Sequence, residues 1–411
     1  MFIVYDLLNL ILLIFSPLIL LTRYFLGKED KKRFKEKFCL FSKRNNSKET
    51  IWIHGASVGE ILSIIPIIKE LEKDKKIKKI LLTSSTTSSA SVVLKFKFKK
   101  TVHQYYPLDI NFLTKLFINY WKPKIAIFVD SEVWPNMYKN LYRKKIPLIL
   151  LNARITKKSF NRWKFFPNFS KTIFSKITLA LPQNSETKKY LHLLGVKNIK
   201  IAGNLKYFGN LEKKKIKNDL SNKFYKRNIW CAASTHKEEE KFIGRVHNEL
   251  RSEIKNLITI IIPRHINRTK SIINELSGIG LNYQLHSENK KIKKNTDIYL
   301  VDTYGEAIKF YLLSKLTFLG GSIVNHGGQN PLEPAREGNY ILYGPNVSNF
   351  KEVYKMLNFL KIAKKINSIK EVKKIVLKRI NFNQNNKAKY KLKNIGNKIL
   401  AKNLLEIKKF I

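Results

Sequence analysis

From residue 50 almost to residue 345, short apolar runs alternate with amphipathic segments, and one polar stretch divides the alternation in two. An apolar run of four to eight residues followed by a helical pattern reads as a βα unit. Repeated βα units build a mostly parallel sheet with helices on its faces. In the first half the expected strands are 51–54, 80–83, 102–106, 124–129, 148–151, 179–182 and 200–202. In the second half they are 229–233, 258–262, 283–286, 298–301, 316–319 and 340–343. Residues 212–222, rich in lysine and poor in apolar side chains, read as a linker. The expected organisation is a membrane anchor over 1–27, a Rossmann-like domain over 28–210, a linker at 211–222, a second Rossmann-like domain over 223–385 and a C-terminal helical segment over 386–411. Two such α/β domains facing a cleft suit an enzyme that joins two substrates and excludes water.

Residues 2–26 are almost continuously apolar, interrupted by Asp6, Asn9 and Arg23. As a helix they reach roughly 37 Å, enough to span or embed in a bilayer. A cleaved signal peptide fits poorly, because no basic residue precedes the run and no small-x-small site follows it. Lys28, Lys31, Lys32, Arg33, Lys35 and Lys37 follow instead. Such a block stays in the cytoplasm and meets anionic headgroups. A single uncleaved N-terminal anchor is expected. Asp6 and Asn9 weaken a spanning reading against an interfacial one.

Lys and Arg number 79 against 30 Asp and Glu, a net charge of +49 in 411 residues. That excess admits a nucleic-acid surface, an anionic membrane or an anionic substrate. It is spread along the chain, and no finger spacing or aromatic-basic RNP run accompanies it, so nucleic acid is not the expected partner. Cys39 and Cys231 form no CxxC and no disulfide framework.

The chemistry begins at Ile51-Trp52-Ile53-His54-Gly55-Ala56-Ser57-Val58-Gly59-Glu60, a strand, a glycine turn and a helix start. The turn carries Glu60 to where open α/β sheets bind ligands. Ser57-x-x-Glu60 also fits a capping box, with Glu60 reaching back to the Ser57 N–H. Thr235-x-x-Glu238 fits a second capping box, and the same helix start is a natural anion site. Arg264, after Pro263 at a strand's carboxyl end, suits a phosphate. Gly320-Gly321 ends a strand and Gly327-Gly328 permits close backbone approach. Asn330 then suits an N-cap, Pro331 the first helical position, and Glu333 the first turn. Free N–H groups there would face a phosphate, with Glu333 available for sugar hydroxyls. Asp130-x-Glu132 is a weak metal-type spacing, and His54, His236, His265 and His326 are dispersed, so no metal is expected.

In order and number, several of these stretches resemble the Kdo transferases, the 3-deoxy-D-manno-oct-2-ulosonic acid transferases of lipopolysaccharide assembly. They are His54 to Glu60, Ser131-Glu132-Val133-Trp134-Pro135-Asn136, Asn152-Ala153-Arg154, Gly203-Asn204-Leu205-Lys206, Ala233-Ser234-Thr235-His236, Pro263-Arg264-His265, Tyr304-Gly305-Glu306 and Gly320-Gly321-Ser322 through Asn330-Pro331-Leu332-Glu333. The resemblance implies a GT-B fold, with acceptor on the first domain and CMP-Kdo on the second. It implies inverting transfer to the lipid A precursor at the cytoplasmic face of the inner membrane, among anionic lipids and without a cofactor. It assigns Glu60 as general base, and Glu132 and Lys206 as transition-state support. Contacts to CMP fall on Pro263, Arg264, Tyr304, Gly305, Glu306, Asn330, Pro331, Leu332 and Glu333. Ser88, Phe208, Glu238 and Gln329 depart from the family pattern, and none is assigned to the chemistry. Another GT-B enzyme, a UDP-sugar transferase or a sugar-nucleotide epimerase, is the alternative, and a tethered polyanion-binding protein is the non-enzymatic one.

Overall fold

A computed structural model describes residues 2–27, 29–43, 45, 49–209, 218–381 and 386–411. Backbone contacts gather Met1–Phe208 with Ile395–Ile411 into one unit and Gly209–Asn394 into another. The first unit holds β1 (Thr50–His54), β2 (Lys79–Ser84), β3 (Thr101–Tyr105), β4 (Pro123–Val129), β5 (Leu148–Ala153) and β6 (Leu179–Pro182). Every pairing is parallel, and the order is β3-β2-β1-β4-β5-β6, that of a dinucleotide-binding fold. A parallel sheet is covered on both faces, so its strands are apolar throughout, and the two-residue period sorts them. Trp52, Phe128 and Leu150 pack on one face. Ile53, Ile127 and Leu151 pack on the other.

The second unit holds β7 (Asn228–Thr235), β8 (Leu257–Pro263), β9 (Tyr283–Leu285), β10 (Ile298–Leu300), β11 (Leu316–Leu319), β12 (Tyr340–Tyr343) and β13 (Ala363–Lys365). Their order is β13-β12-β11-β7-β8-β10-β9, again parallel throughout. Trp230, Ile261, Phe318 and Leu342 anchor one of its faces.

Residues 200–202 do not form the expected strand. They lie beside β6 with only an isolated bridge, Ala180 to Ile199, before Gly203 turns the chain at φ 90°. The edge strand β13, with both lysines exposed, has no apolar run to betray it. The expected linker falls mostly on 210–217, outside the described residues, and Asn218–Lys223 is helical. The helix Asn386–Lys408 returns its last residues to the first unit, a return that a separate 386–411 segment did not foresee.

The N-terminal helix α1 (Phe2–Phe25) lies along the first unit and is fastened near both ends. Tyr5 Oη donates to Asp109 Oδ2 at 2.8 Å, and Lys139 Nζ stands 3.5 Å from Asp6 Oδ2. Arg23 pairs with Glu29 at 2.6 Å, and the Tyr24 ring meets Phe34. Ser16 and Leu20 are buried. Leu7, Leu8, Ile11, Ile14, Phe15 and Leu18 are exposed on the other side.

Candidate active site

Strands β1 and β4 are neighbours although two strands separate them in sequence. The strand order reverses between them, and a crevice opens beyond their carboxyl ends. A pocket of about 350 Å³ lies there, lined by Glu60, Asp130, Ser131, Arg154, Lys206 and the turn at Ser57.

Glu60 arrives on the first turn of α2 (Val58–Lys73), which Ser57 caps by accepting the Glu60 N–H at 3.3 Å. The apolar positions Ile61, Ile64, Ile65, Ile68 and Leu71 bury one face, and the helix continues through the buried Pro66. The carboxylate reaches back, but to a different donor from the one expected. Its Oε2 accepts the Ala56 N–H at 2.8 Å, while Oε1 accepts the Ser57 hydroxyl at 2.7 Å. Burial raises the pKa of Glu60, and the charges of Glu132 and Asp130 raise it further, against the bonds from Ser57 and Ala56. A half-buried carboxylate tuned upward in a pocket is suited to take a proton near neutral pH.

Glu132 stands at the pocket's edge, close enough for its charge to act on both Glu60 and Asp130. Trp134 Nε1 donates to its Oε2 at 2.9 Å, and His54 Nε2 lies 3.4 Å from the same oxygen. His54 is fully buried, contacts Thr83 Oγ1 at 3.0 Å and stacks on Tyr106 with ring centroids 4.0 Å apart.

The structure brings Asp130, Arg154 and Asn152 into this site, a placement that spacing alone did not indicate. Asp130 leaves β4 with φ 62° and is 8% exposed. Burial raises its pKa, while Lys206 and Arg154 pull it down. The Lys206 Nζ stands 3.8 Å from Asp130 Oδ2. The loop that delivers Lys206 is held by two amides. Asn152 Oδ1 accepts the Leu205 N–H, and Asn204 Oδ1 accepts the Lys206 N–H, both at 2.9 Å. Asn152 itself is fully buried at φ 52°. Left-handed Asp and Asn at the ends of adjacent strands are the kind of backbone cost that functional sites retain. The available signal was the polar pair of stretches ending β4 and β5.

In the second unit, β11, β7 and β8 are adjacent, so the turns after Leu319, Thr235 and Pro263 share one edge. They converge on His236. Its ring stacks on His326 at 4.3 Å, lies 6.0 Å from His265, and its Nε2 is 3.3 Å from Gln329 Nε2. Burial lowers the His236 pKa to about 4, aided by His326, His265, Arg268 and Arg264. Arg264 is exposed, its N–H bound to Thr235 O at 3.0 Å, and Pro263 is buried beneath it.

The expected capping box at Thr235 is not used. The helix Glu239–Leu250 begins three residues later, after Glu238 at φ 76°, and Glu239 is the anchor. Fully buried, it accepts four backbone N–H groups: His236 and Gly321 on Oε2 at 3.0 and 2.7 Å, Ser322 and Ile323 on Oε1 at 3.0 Å each. Gly320 is required, since a Cβ there would lie 2.4 Å from Ser234 O and 2.6 Å from Glu239 Oε2.

Asn330 Oδ1 accepts the Leu332 N–H at 3.1 Å, but Asn330 is not the expected N-cap: Pro331 occupies that position and the helix runs only over Leu332–Arg336. A proline nitrogen has no hydrogen to give, so the bond passes to the next residue. Glu333 is exposed on that first turn. Tyr304 and Gly305 (φ 82°) follow β10, one strand outward from β8. Tyr304 is exposed, while Glu306 is engaged by Lys309 and lies 3.7 Å from His286 Nε2. Among the described residues no cluster of three His, Cys, Asp or Glu is placed to hold a metal.

A profile of the family described as 3-deoxy-D-manno-octulosonic-acid transferase (kdotransferase) matches residues 32–208. The chain is 34% identical over 355 residues to the 3-deoxy-D-manno-octulosonic acid transferase of Rickettsia bellii, covering 85% of this chain and 84% of that protein. It is 32% identical over 356 residues to the enzyme of the same name from Haemophilus influenzae, covering 84% and 83%. Among solved structures, a UDP-GlcNAc 2-epimerase from Neisseria meningitidis superposes with a TM-score of 0.57 at 15% identity, over 87% of this chain and all of that one. That likeness is one of fold, and the fold class is GT-B, built of two Rossmann-like units.

Proposed function

Because this chain belongs to the 3-deoxy-D-manno-octulosonic acid transferase family of glycosyltransferases, we propose that it moves Kdo from CMP-Kdo to the lipid A precursor, with Glu60 as general base. The observation that carries this reading is the pocket at the β1–β4 switch point, where Glu60 with its raised pKa lies among Asp130, Arg154 and Lys206. The acceptor hydroxyl gives its proton to Glu60 as it attacks the anomeric carbon of Kdo, and the bond to CMP breaks on the opposite face. A positioned carboxylate contributes typically ~10²–10⁴-fold to such a step. Glu132, held by Trp134, keeps the local field negative and so favours the protonated product state of Glu60. Lys206 and Arg154 supply positive charge for the phosphorylated acceptor or for charge developing during transfer.

CMP binds the second unit. Burial is the main reason His236 stays neutral, and the positive charges of Arg264 and Arg268 that assist it equally favour a phosphate. Arg264 provides a bidentate fork, and Asn330, Pro331, Leu332 and Glu333 present a helix start, with Tyr304, Gly305 and Glu306 on the nucleoside side. Side chains and backbone dipoles perform this work without a metal ion.

The protein acts at the cytoplasmic face of the inner membrane, with α1 lying in the leaflet rather than crossing it. A crossing helix must separate its ends by the ~30 Å of the hydrocarbon core. Here both ends are fastened to one globular unit, Tyr5 to Asp109 and Arg23 to Glu29, and an unbroken apolar face points away. The exposed Lys31, Lys32 and Lys35 beside it meet anionic headgroups.

The test is transfer by membranes holding the protein, supplied with a CMP-Kdo-generating system and tetra-acylated lipid A precursor, with products read by mass. The wild type gains one or more Kdo units. Glu60→Gln, which preserves a cap, folds normally and loses most of the activity. Full turnover in that variant returns Glu60 to a purely structural role, and no product from folded wild type points to a different nucleotide sugar.

A further inference from the structure

Between α1 and the body of the first unit lies a second cavity, of about 320 Å³. Its outer wall is the inner side of α1, with Leu12, Leu13, Ser16 and Leu20, and its inner wall includes Leu108, Ile110, Tyr106 and Trp134. Protein interiors are close-packed, and an apolar space of this size is a site for apolar ligands rather than ordinary core.

Three contacts join this cavity to the acidic pocket. Trp134, one of its walls, donates its indole N–H to Glu132 Oε2 at 2.9 Å. Tyr106, another wall, stacks on His54, whose Nε2 touches the same Glu132 oxygen at 3.4 Å. Ser85, at the rim, donates its N–H to Ala56 O at 3.4 Å, on the residue whose own N–H binds Glu60. The apolar space and the carboxylates are therefore two sides of one wall. A further observation points to a ligand: the Tyr106 hydroxyl is buried and has no hydrogen-bond partner among the described residues. Leaving a buried hydroxyl unpaired is costly, so a polar atom arriving with the ligand would relieve it.

We propose that this cavity receives one acyl chain of the glycolipid acceptor, which thereby seats the acceptor's sugar against Glu60 and Glu132. The inference rests on the acceptor reading above. The occupant is the acceptor's chain rather than a bulk phospholipid's, because only a chain bonded to the reacting sugar has reason to end at Trp134. The chain enters from the leaflet beside α1, whose exposed apolar face continues the cavity's outer wall. An ester or amide carbonyl, or a chain hydroxyl, near the headgroup supplies the partner for Tyr106. The site selects acylated acceptors by KM and leaves the transfer chemistry alone.

The experiment uses the full-length protein in membranes with two acceptors, the tetra-acylated lipid A precursor and its fully deacylated disaccharide bisphosphate. Ser16→Trp fills the cavity from α1, and Tyr106→Phe removes only the hydroxyl. The expected result is a KM for the acylated acceptor raised about tenfold by the first and about threefold by the second, with kcat and the deacylated acceptor unchanged. Equal effects on both acceptors, or none on either, overturn the proposal. Independently of turnover, a precursor carrying a diazirine in one acyl chain labels peptides containing Leu108 or Trp134. Labelling of the exposed face of α1 alone marks bulk-lipid contact and overturns it. If the wild type transfers nothing yet the cavity is labelled, the acyl site stands and the assigned reaction fails. If it is neither active nor labelled, both fail.

Discussion

Replacing Glu239 by Gln tests whether the donor-side turn is held by one carboxylate. Glu239 accepts four backbone N–H groups from two segments more than eighty residues apart, two on each oxygen. Gln keeps the volume but offers one accepting oxygen, and its amide nitrogen turns two further donors toward N–H groups. Two of the four N–H groups are then buried without an acceptor, at ~1–3 kcal/mol each, which predicts a loss of roughly 2–6 kcal/mol. The two bonds that survive also weaken from charge-assisted to neutral. With two structural units a single global unfolding transition is not expected, so the readout must be local. Amide hydrogen exchange over Gly321, Ser322 and Ile323 should accelerate by roughly 30-fold or more, and the second unit should melt earlier in calorimetry while the first is unchanged. A loss below about 1 kcal/mol, with exchange at these amides unaltered, would refute the reasoning.

The raised pKa of Glu60 places the acid limb of kcat/KM above the ordinary glutamate value of about 4.3, activity falling as pH falls through it. A pH–rate profile with its acid limb at or below that value contradicts the base assignment. Asp109 is raised to about 6 by burial, so the folded protein holds that proton more tightly than the unfolded chain. Its stabilising contribution is full below the unfolded value of about 3.9 and is lost as pH rises to about 6, so a plot of melting temperature against pH should lose that decline in Asp109→Asn. Asn152→Ala orphans the buried Leu205 N–H at a cost of ~1–3 kcal/mol and loosens the Lys206 loop. Transfer should drop with secondary structure retained, and unchanged kcat/KM would remove Asn152 from the list of positioning residues.

The strands were legible because a parallel sheet buries both faces, and Ile125-Ala126-Ile127-Phe128-Val129 has no other easy use. Failures came where that pressure is absent. Strand β13 is an edge with two exposed lysines, and 200–202 pairs through scattered backbone bonds beside β6. The first site stretch was legible as strand, glycine turn and helix. Glu132 and Lys206 came only from the family resemblance, since nothing local distinguishes them from other surface charges in a chain of net charge +49. Asp130 and Asn152 act through left-handed backbones and contacts across strands, which spacing does not encode. Glu239 was missed because three of its four donors lie 82 to 84 residues away.

Glu60 and Glu239 show why the choice between helix cap and catalyst cannot be made from spacing. Each is a glutamate just beyond the first strand of its unit, and each binds the backbone of the turn before its helix. What separates them is the supply of donors against the degree of burial. Glu239 is fully buried, and four N–H groups satisfy it, so nothing is left over for a substrate. Glu60 receives one N–H and one hydroxyl, keeps an open side in a pocket, and has two carboxylates nearby that disfavour its charge. A carboxylate placed as Glu60 is gains by accepting a proton. Capping and catalysis are therefore compatible at Glu60: the cap fixes the carboxylate's geometry with two of its acceptor sites and leaves the others for the acceptor hydroxyl. Swapping the donor supply should swap the roles. Ala56→Pro removes the backbone N–H donor and should raise the Glu60 pKa further, moving the acid limb of the rate profile upward with the cap at Ser57 retained. An acid limb that stays where it is would mean that the Ala56 bond does not tune the base.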